Sequence, residues 1–512
     1  MKNYNWILAA FRQLVLPVAF CGTMLLASCS EIDDPVQPVT PEEQPGEAAM
    51  PELKEDFESL AEWVTAGVKR CHPYIRKFWN EEADPADFNL LLTNENCDKV
   101  YFIDANGKRE VPQAEWGEAL EKGLSEVNNA DYYFFTFQNK NCCLQIVSPA
   151  KWKAMEEVYK MGGKKVPTLQ DNAYFLLHTF YHESFHKYVQ SLRGWNNLGS
   201  PHYSREQVYP AVYEPRIYRK LALLALLKAW QDPSQKDAHF ARAKYWTQKY
   251  ESLYPIEAEG IRQTDVDEST AEYFGLSVIH AAFSDYELLY ELDLSAGIDI
   301  ESYQQSLAMH LLVRDGRLAE AIKAVSQDVI SPINILLKDV AAPANYDEKQ
   351  DAADVEKIRE AMDKKYTKEN PFVAPVAELV ERHLSGQAVY VGLDPQFNGN
   401  YYAAIGTYKL TDLPGYECEV KYESSNENVE IKGCTLLSYK EYQFYPIATV
   451  EHLSLNDWQD INEESSELPG IVFTRQGTLS AITDEPTFTL KKLPATVMYG
   501  KDKFGNEYYI CK

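Results

Sequence analysis

The 512-residue sequence predicts an α+β chain of several domains, on three observations. Up to about residue 170, helical patterns alternate with short strand-like runs. From 171 to about 385 nearly every segment repeats its apolar residues at three- and four-residue steps. From about Gln387 the apolar period switches to two. The mature chain thus divides into an N-terminal α/β lobe (52–170), a helical lobe (171–385) and an all-β C-terminal domain (386–512) suited to a sandwich or small barrel. About 460 folded residues are too many for one compact core.

The first segment is not part of the fold. Lys2 and Arg12 precede an apolar run from Leu14 to Ala27, too short to span a bilayer comfortably. The run ends Leu26-Ala27-Ser28-Cys29, which resembles the lipobox of bacterial lipoproteins. The resemblance implies a signal peptide over 1–28, cleavage before Cys29, and a lipid on Cys29. Residues 29–51 are acidic and Pro-rich, the composition of an extended tether. The acidic residues after Cys29 are similar to tags that send Gram-negative lipoproteins to the outer face of the outer membrane, with a periplasm-facing location as the alternative. No later apolar run approaches a membrane-spanning length, so the membrane would be reached through the lipid alone. A net charge of −27 repels polyanions and excludes nucleic acid as a partner.

In the α/β lobe, Phe57, Leu60, Ala61, Val64 and Val68 mark a helix within 52–79. Strands are expected at 100–107, 132–137 and 142–147, and a helix from Pro149 to Tyr159 closed by Met161-Gly162-Gly163. In the helical lobe, Pro215 opens a helix that Asp232-Pro233 ends; a short one over 245–254 stops at Pro255; another begins at Thr264 with acidic first turns. Further helices are expected at 303–313, 318–325 and 354–364. Strand patterns then recur at 388–391, 401–410, 417–422, 429–431, 470–474, 487–490 and 496–499, with a closing hairpin at Gly505-Asn506. Cys71, Cys97, Cys142, Cys143, Cys418, Cys434 and Cys511 remain beyond the signal and Cys29; they contain no C-x-x-C pair, which leaves a Cys zinc site unsupported. Cys418 with Cys434 is a candidate disulfide.

One stretch organises the rest. Tyr174 to Val189 lacks Gly and Pro and contains His182-Glu183-Ser184-Phe185-His186, an H-E-x-x-H motif. Four-residue spacing puts both imidazoles on one helical face, able to hold one ion, with Glu183 free to reach its water. A catalytic zinc needs a third protein ligand. His186 is followed by Lys187-Tyr188-Val189-Gln190-Ser191-Leu192, so the metzincin continuation is absent. Eighty-two residues after His186 stands Glu268-Ser269-Thr270-Ala271-Glu272-Tyr273, which resembles the E-[GS]-x-A-x-Y/F segment of gluzincin-type zinc metallopeptidases. The resemblance covers about 171–285. It implies zinc on His182, His186 and Glu268, with Ser269 and Ala271 allowing close helix packing and Glu183 as general base and acid. It also implies a zincin-like arrangement, in which the edge of the preceding sheet can hold an extended peptide substrate.

Ser269 stands where the family more often has Gly, and Lys187 where it usually has an uncharged residue. Glu272, Asp265, Asp267, Glu259 and Glu214 remain rival ligands, and Asp265, Asp267 or Glu272 could instead hold a ligand histidine's N–H. Tyr203, His202 and Tyr273 are candidates to stabilise an oxyanion, and His178 is read as support. The expected function is hydrolysis of peptide bonds outside the cytoplasm. The alternatives are a surface lipoprotein that binds glycan or protein, and a zincin-fold binding protein without catalysis.

Overall fold

The computed structural model describes residues 49–512 except 131, 149–151, 154–155, 157–165, 192–206, 285, 287, 289, 291, 368–369, 371–372, 395–405, 426–427, 449–450, 452, 483–487 and 495. The signal, Cys29, nearly all of the tether, most of the helix expected at 149–159, His202 and Tyr203 lie outside the described residues. The fold is mixed α and β with two sheets, and its C-terminal region is all β.

Helix α1 (Phe57–Cys71) leads into a five-stranded sheet. Its strands are β1 (Asn89–Asn94), β2 (Val100–Asp104), β3 (Gly107–Glu110), β4 (Tyr132–Phe137) and β5 (Lys140–Val147), in the order β3-β2-β1-β5-β4. Helix α2 (Glu118–Ala130) lies between β3 and β4 in the chain. The sequence reading leaves β1 and α2 unassigned. β1 reads Asn-Leu-Leu-Leu-Thr-Asn, a short apolar run with no alternation, because both of its faces are covered. Leu90 and Leu92 face the helices, whereas Leu91 joins Leu120, Leu124 and Val127 of α2 on the opposite face.

Helix α3 (Leu169–Ser184) carries the motif and continues as a π-helical segment, Phe185–Ser191. Thr168 and Asp171 form a reciprocal capping box at its start, a device worth about 1 kcal/mol. The helix is fastened by Phe180, Tyr181 and Phe185, all fully buried; each such side chain contributes roughly 1.5–3 kcal/mol.

Helices α4 (Tyr213–Gln231), α5 (Lys236–Leu253) and α6 (Pro255–Ala282) follow. α5 begins well before the expected Tyr245. α6 begins at Pro255, not Thr264: the proline that ends α5 occupies the first turn of α6, where its missing N–H costs nothing. The Asp265–Glu272 acidic run therefore lies in the middle of a 28-residue helix. After it come α7 (Ile298–Gln304), α8 (Ser306–Arg314), α9 (Leu318–Asp328), α10 (Pro332–Leu336) and α11 (Ala352–Tyr366). α1, one face of the sheet and these helices share one continuous core from Leu60 to Met362.

The second sheet gathers β6 (Gln207–Tyr209), β7 (Val389–Leu393), β8 (Gly406–Leu410), β9 (Tyr416–Ser425), β10 (Val429–Tyr439), β11 (Tyr442–Pro446), β12 (Leu453–Glu464), β13 (Ile471–Ile482), β14 (Phe488–Leu490), β15 (Val497–Asp502) and β16 (Glu507–Cys511). The order is β12-β13-β15-β16-β7-β11-β10-β9-β8-β6, with β14 on β10. The expected sandwich or small barrel is thus one eleven-stranded sheet; among the described residues its path does not close on itself. It has a core on each face, and α12 (Ala374–Leu384) contributes Val376, Leu379 and Val380 to one of them. β6 comes from the helical region and pairs in parallel with β8, stitching the two parts together.

The expected Cys418–Cys434 disulfide is absent, and all seven described cysteines are free thiols. Cys418 faces the core that contains Tyr508, and Cys434 the core that contains Val497. Thiols directed to opposite faces of one sheet cannot meet across a bond that needs Cβ atoms about 3.5–4.5 Å apart.

Candidate metal centre

Helices α3 and α6 pack against each other, with Gly275 of α6 in the contact; Ser269 and Ala271, small as well, are buried on the same helix. Gly275 has the closest fit, since a Cβ there would meet the His178 ring at 3.1–3.2 Å. Ser269 turns its hydroxyl back onto the Asp265 carbonyl, so it adds no unpaired polar group there. Lys187 points away and is exposed.

This packing brings His182, His186 and Glu268 together. The two Nε2 atoms lie 3.0 Å apart, and each is 3.4 Å from Glu268 Oε2. Tetrahedral ligands at 2.0–2.1 Å from a zinc ion would stand about 3.3–3.4 Å from one another, so the triangle has the dimensions of three vertices of such a site.

Each outer nitrogen faces an oxygen. His182 Nδ1 is 3.2 Å from Glu272 Oε2, and His186 Nδ1 is 2.6 Å from Gln190 Oε1. Gln190 donates its amide N–H groups to the Asp267 carbonyl and Thr270 Oγ1, at 2.8 and 2.9 Å, which turns its oxygen toward His186. Gln190 thereby calls for an N–H at His186 Nδ1 and a lone pair at its Nε2, and the Glu272 carboxylate beside His182 Nδ1 favours the same tautomer there. Two lone pairs and a carboxylate converge, and a cation relieves that repulsion. Burial, then the neighbouring His182, depresses the pKa of His186 to about 4, which keeps its imidazole neutral as a metal ligand requires.

His178, His182 and Glu272 form a second close group. A single oxygen, Glu272 Oε2, faces both His178 Nε2 at 3.1 Å and His182 Nδ1 at 3.2 Å. Burial alone would raise the pKa of this carboxyl, but the two imidazoles outweigh it and hold the group at about 2. Glu272 is therefore an anion that orients His182, while Glu268 faces the triangle.

The remaining rivals are committed elsewhere. Asp265 takes a two-pronged bond from Arg219, at 2.7 and 3.1 Å, and one from Ser302. Asp267 Oδ1 accepts from Gln263. Glu259 pairs with Arg262 at the surface, and Glu214 lies by Arg359. Tyr273 is buried edge-on against His310, within the α6–α8 contact. Gln190, Thr270 and Tyr303, whose ring stacks on His182 at 5.6 Å, are the participants that sequence reasoning missed. Gln190 lies four residues after His186, so helical spacing was its only available signal.

Glu183 is half-buried and has neither ion pair nor hydrogen bond among the described residues. Its charge raises the pKa of Cys143 on β5, after burial, which places the carboxylate beside the sheet. On the same side Tyr188 donates to the Cys142 carbonyl at 2.8 Å and meets Phe134 of β4 edge-on. β4 is the terminal strand of the sheet among the described residues and runs antiparallel to β5.

No protein-family model, curated protein or solved structure matches the chain. No described helix is long and apolar enough to cross a membrane.

Proposed function

We propose that this chain is a zinc-dependent metallopeptidase of gluzincin type, acting outside the cytoplasm as an outer-membrane lipoprotein anchored through Cys29. The observation that carries the reading is the convergence of His182 Nε2, His186 Nε2 and Glu268 Oε2 at 3.0–3.4 Å, with His186 Nδ1 hydrogen-bonded to Gln190 and His182 Nδ1 3.2 Å from the Glu272 carboxylate. Zinc held there supplies a Lewis acid that lowers the pKa of water toward ~7 and polarises a carbonyl.

Glu183 takes the proton from the attacking water and delivers it to the leaving amine. Its half-buried position, with no cation paired to it among the described residues, leaves it able to do both. The partner is a peptide or protein. The outer edge of β4, the terminal strand among the described residues, lies beside the Glu183 side of α3 and would offer main-chain hydrogen bonds to an extended substrate. In this reading the α/β lobe and the helices form the zincin-like catalytic part, and the C-terminal sheet is a separate domain.

Metal analysis of the purified protein beside Glu183→Gln tests the proposal. Both should carry close to one zinc per chain, and only the wild type should cleave peptides in a chelator-sensitive way. A zinc-free wild type without such cleavage would overturn it. Bound zinc with no cleavage in either protein would instead select the inactive binding protein.

A further inference from the structure

Helix α7 is seven residues long, too short to persist by itself, and buried charges on its neighbours hold it. Two successive residues of α7, Glu301 and Ser302, are wholly buried. Glu301 pairs with three cations of α4: Arg219 at 2.8 Å, Lys220 at 2.5 Å, and Arg216. Lys220 also donates to the Ala296 carbonyl, just before α7, at 2.6 Å. Ser302 donates to Asp265 Oδ1 of α6 at 2.7 Å, and the same carboxylate takes the two-pronged bond from Arg219. Displacing α7 would strand one of these buried charges without its partner, which is costly. The helix is thereby fixed against both α4 and α6, at a point of α6 one turn before Glu268.

The next residue of α7 is Tyr303, 8% exposed. Its ring lies nearly parallel to that of His182, with 13° between the planes and 5.6 Å between centroids, an offset stack. The two carboxylates at His182 act on the rim of the ring, Glu268 at Nε2 and Glu272 at Nδ1. Contacts at the rim resist sliding in the ring plane. They restrain tilt less, because the terminal torsion of a histidine is soft. His178 and His186 meet the ring at 47° and 77° and so present no parallel face. Tyr303 does.

We propose that Tyr303 is a positioning residue of the metal centre. Its flat ring sets the tilt of His182 and so keeps Nε2 on the triangle with His186 and Glu268, while the buried pairs of Glu301 and Ser302 hold Tyr303 in place. The inference rests on the zinc reading above. The role belongs to the ring face, so phenylalanine can fill it and leucine cannot.

Zinc affinity of the full chain, measured by competition against a chelator, is the test, with urea unfolding of the zinc-free proteins beside it. Tyr303→Leu should weaken zinc about tenfold, the lower end of what losing a residue that orients a ligand histidine costs. It should also alter the visible spectrum of the cobalt(II)-loaded protein, and Tyr303→Phe should preserve both properties. A purely structural role would lower the urea midpoint and leave affinity and spectrum unmoved. Ser302→Ala keeps the ring and the ion pairs of Glu301 but releases α7 from Asp265; it should weaken zinc by a smaller factor, and it decides the matter if the leucine variant does not fold. Three outcomes would overturn the role: a folded Tyr303→Leu protein with wild-type affinity and spectrum, a Tyr303→Phe protein weakened as much as Tyr303→Leu, or, with leucine unfolded, a Ser302→Ala protein of wild-type affinity. A wild type that binds no zinc would remove the metallopeptidase reading and this role together, whereas a zinc-binding wild type with an indifferent leucine variant would remove this role alone.

Discussion

Glu272 Oε2 stands 3.2 Å from His182 Nδ1 and 3.1 Å from His178 Nε2, one carboxylate oxygen shared by imidazoles a helical turn apart on α3. Four residues earlier on α6, Glu268 Oε2 faces the other nitrogen of His182 at 3.4 Å. Two glutamates on one helical face thus stand on opposite sides of a single ring, and in the proposed site Glu268 would bind metal while Glu272 sets the ring's orientation.

That division of labour separates two variants. Glu272→Ala should lower zinc affinity by about 10–100-fold, the usual cost of losing a carboxylate that orients a ligand histidine, and leave zinc bound at saturation. Glu268→Ala removes a ligand and should lower affinity further. Competition against a chelator of known affinity measures both. If Glu272→Ala lost more zinc affinity than Glu268→Ala, their roles would be reversed.

Gly275→Ala should disturb the same chain of contacts. Alanine is worth about 1 kcal/mol over glycine inside a helix. Its Cβ, however, would meet His178 ring atoms at 3.1–3.2 Å, and that ring cannot retreat without leaving Glu272. Overpacking of this kind costs about 1–3 kcal/mol. The expected result is a net loss of up to about 2 kcal/mol by chemical denaturation, with weaker zinc binding. A stabilised Gly275→Ala protein would show that the ring yields freely.

Stability should fall in acid partly through His310, which lies away from the metal centre. It is enclosed by Ser277, Tyr290 and Tyr273, and burial lowers its pKa to about 3. In the unfolded chain the same imidazole takes a proton below ~6.5. Between these values the unfolded state binds more protons, so this contribution is fully present above ~6.5. It declines by up to about 1.4 kcal/mol per unit as the pH falls toward 3. Urea unfolding of wild type and His310→Gln across pH 4–7 should give a shallower slope for the variant. Parallel slopes would remove His310 from the account.

Reducing agents should leave the melting temperature unchanged, because the seven described cysteines are free. Cys71, Cys142, Cys143, Cys418, Cys434 and Cys511 are buried, and burial raises the pKa of the Cys71, Cys143 and Cys418 thiols. Thiol reagents should therefore label them rapidly only after unfolding. A reductant-sensitive melting temperature would indicate a bond between these residues.

Elements with a strong local signature were legible. α4 ends where Asp232-Pro233 stops it, and the β15–β16 turn falls at Gly505, whose φ of 102° a side chain would resist. β1 was not, because a strand buried on both faces shows no alternation, and a run of three leucines has no period to read. The start of α6 was hidden by Pro255, which ends one helix and opens the next with a single residue. The pairing suggested for Cys418 and Cys434 failed because closeness in sequence says nothing about which face of a sheet a residue takes once bulges shift the register between β9 and β10.

The sequence alone determined the spacing of His182 and His186, the glutamate between them, and a short list of acidic residues downstream. Those follow from helical geometry, which is local: four residues make about one turn. Only the tertiary structure gives these acids different neighbours. Asp265 lies close to Glu268 on the same helix, yet it is drawn to Arg219 of α4, Glu272 turns to His178, and Glu268 faces the triangle. Those neighbours depend on where α4 and α3 pack against α6, and contacts between segments that distant in sequence leave no periodicity in the chain to read.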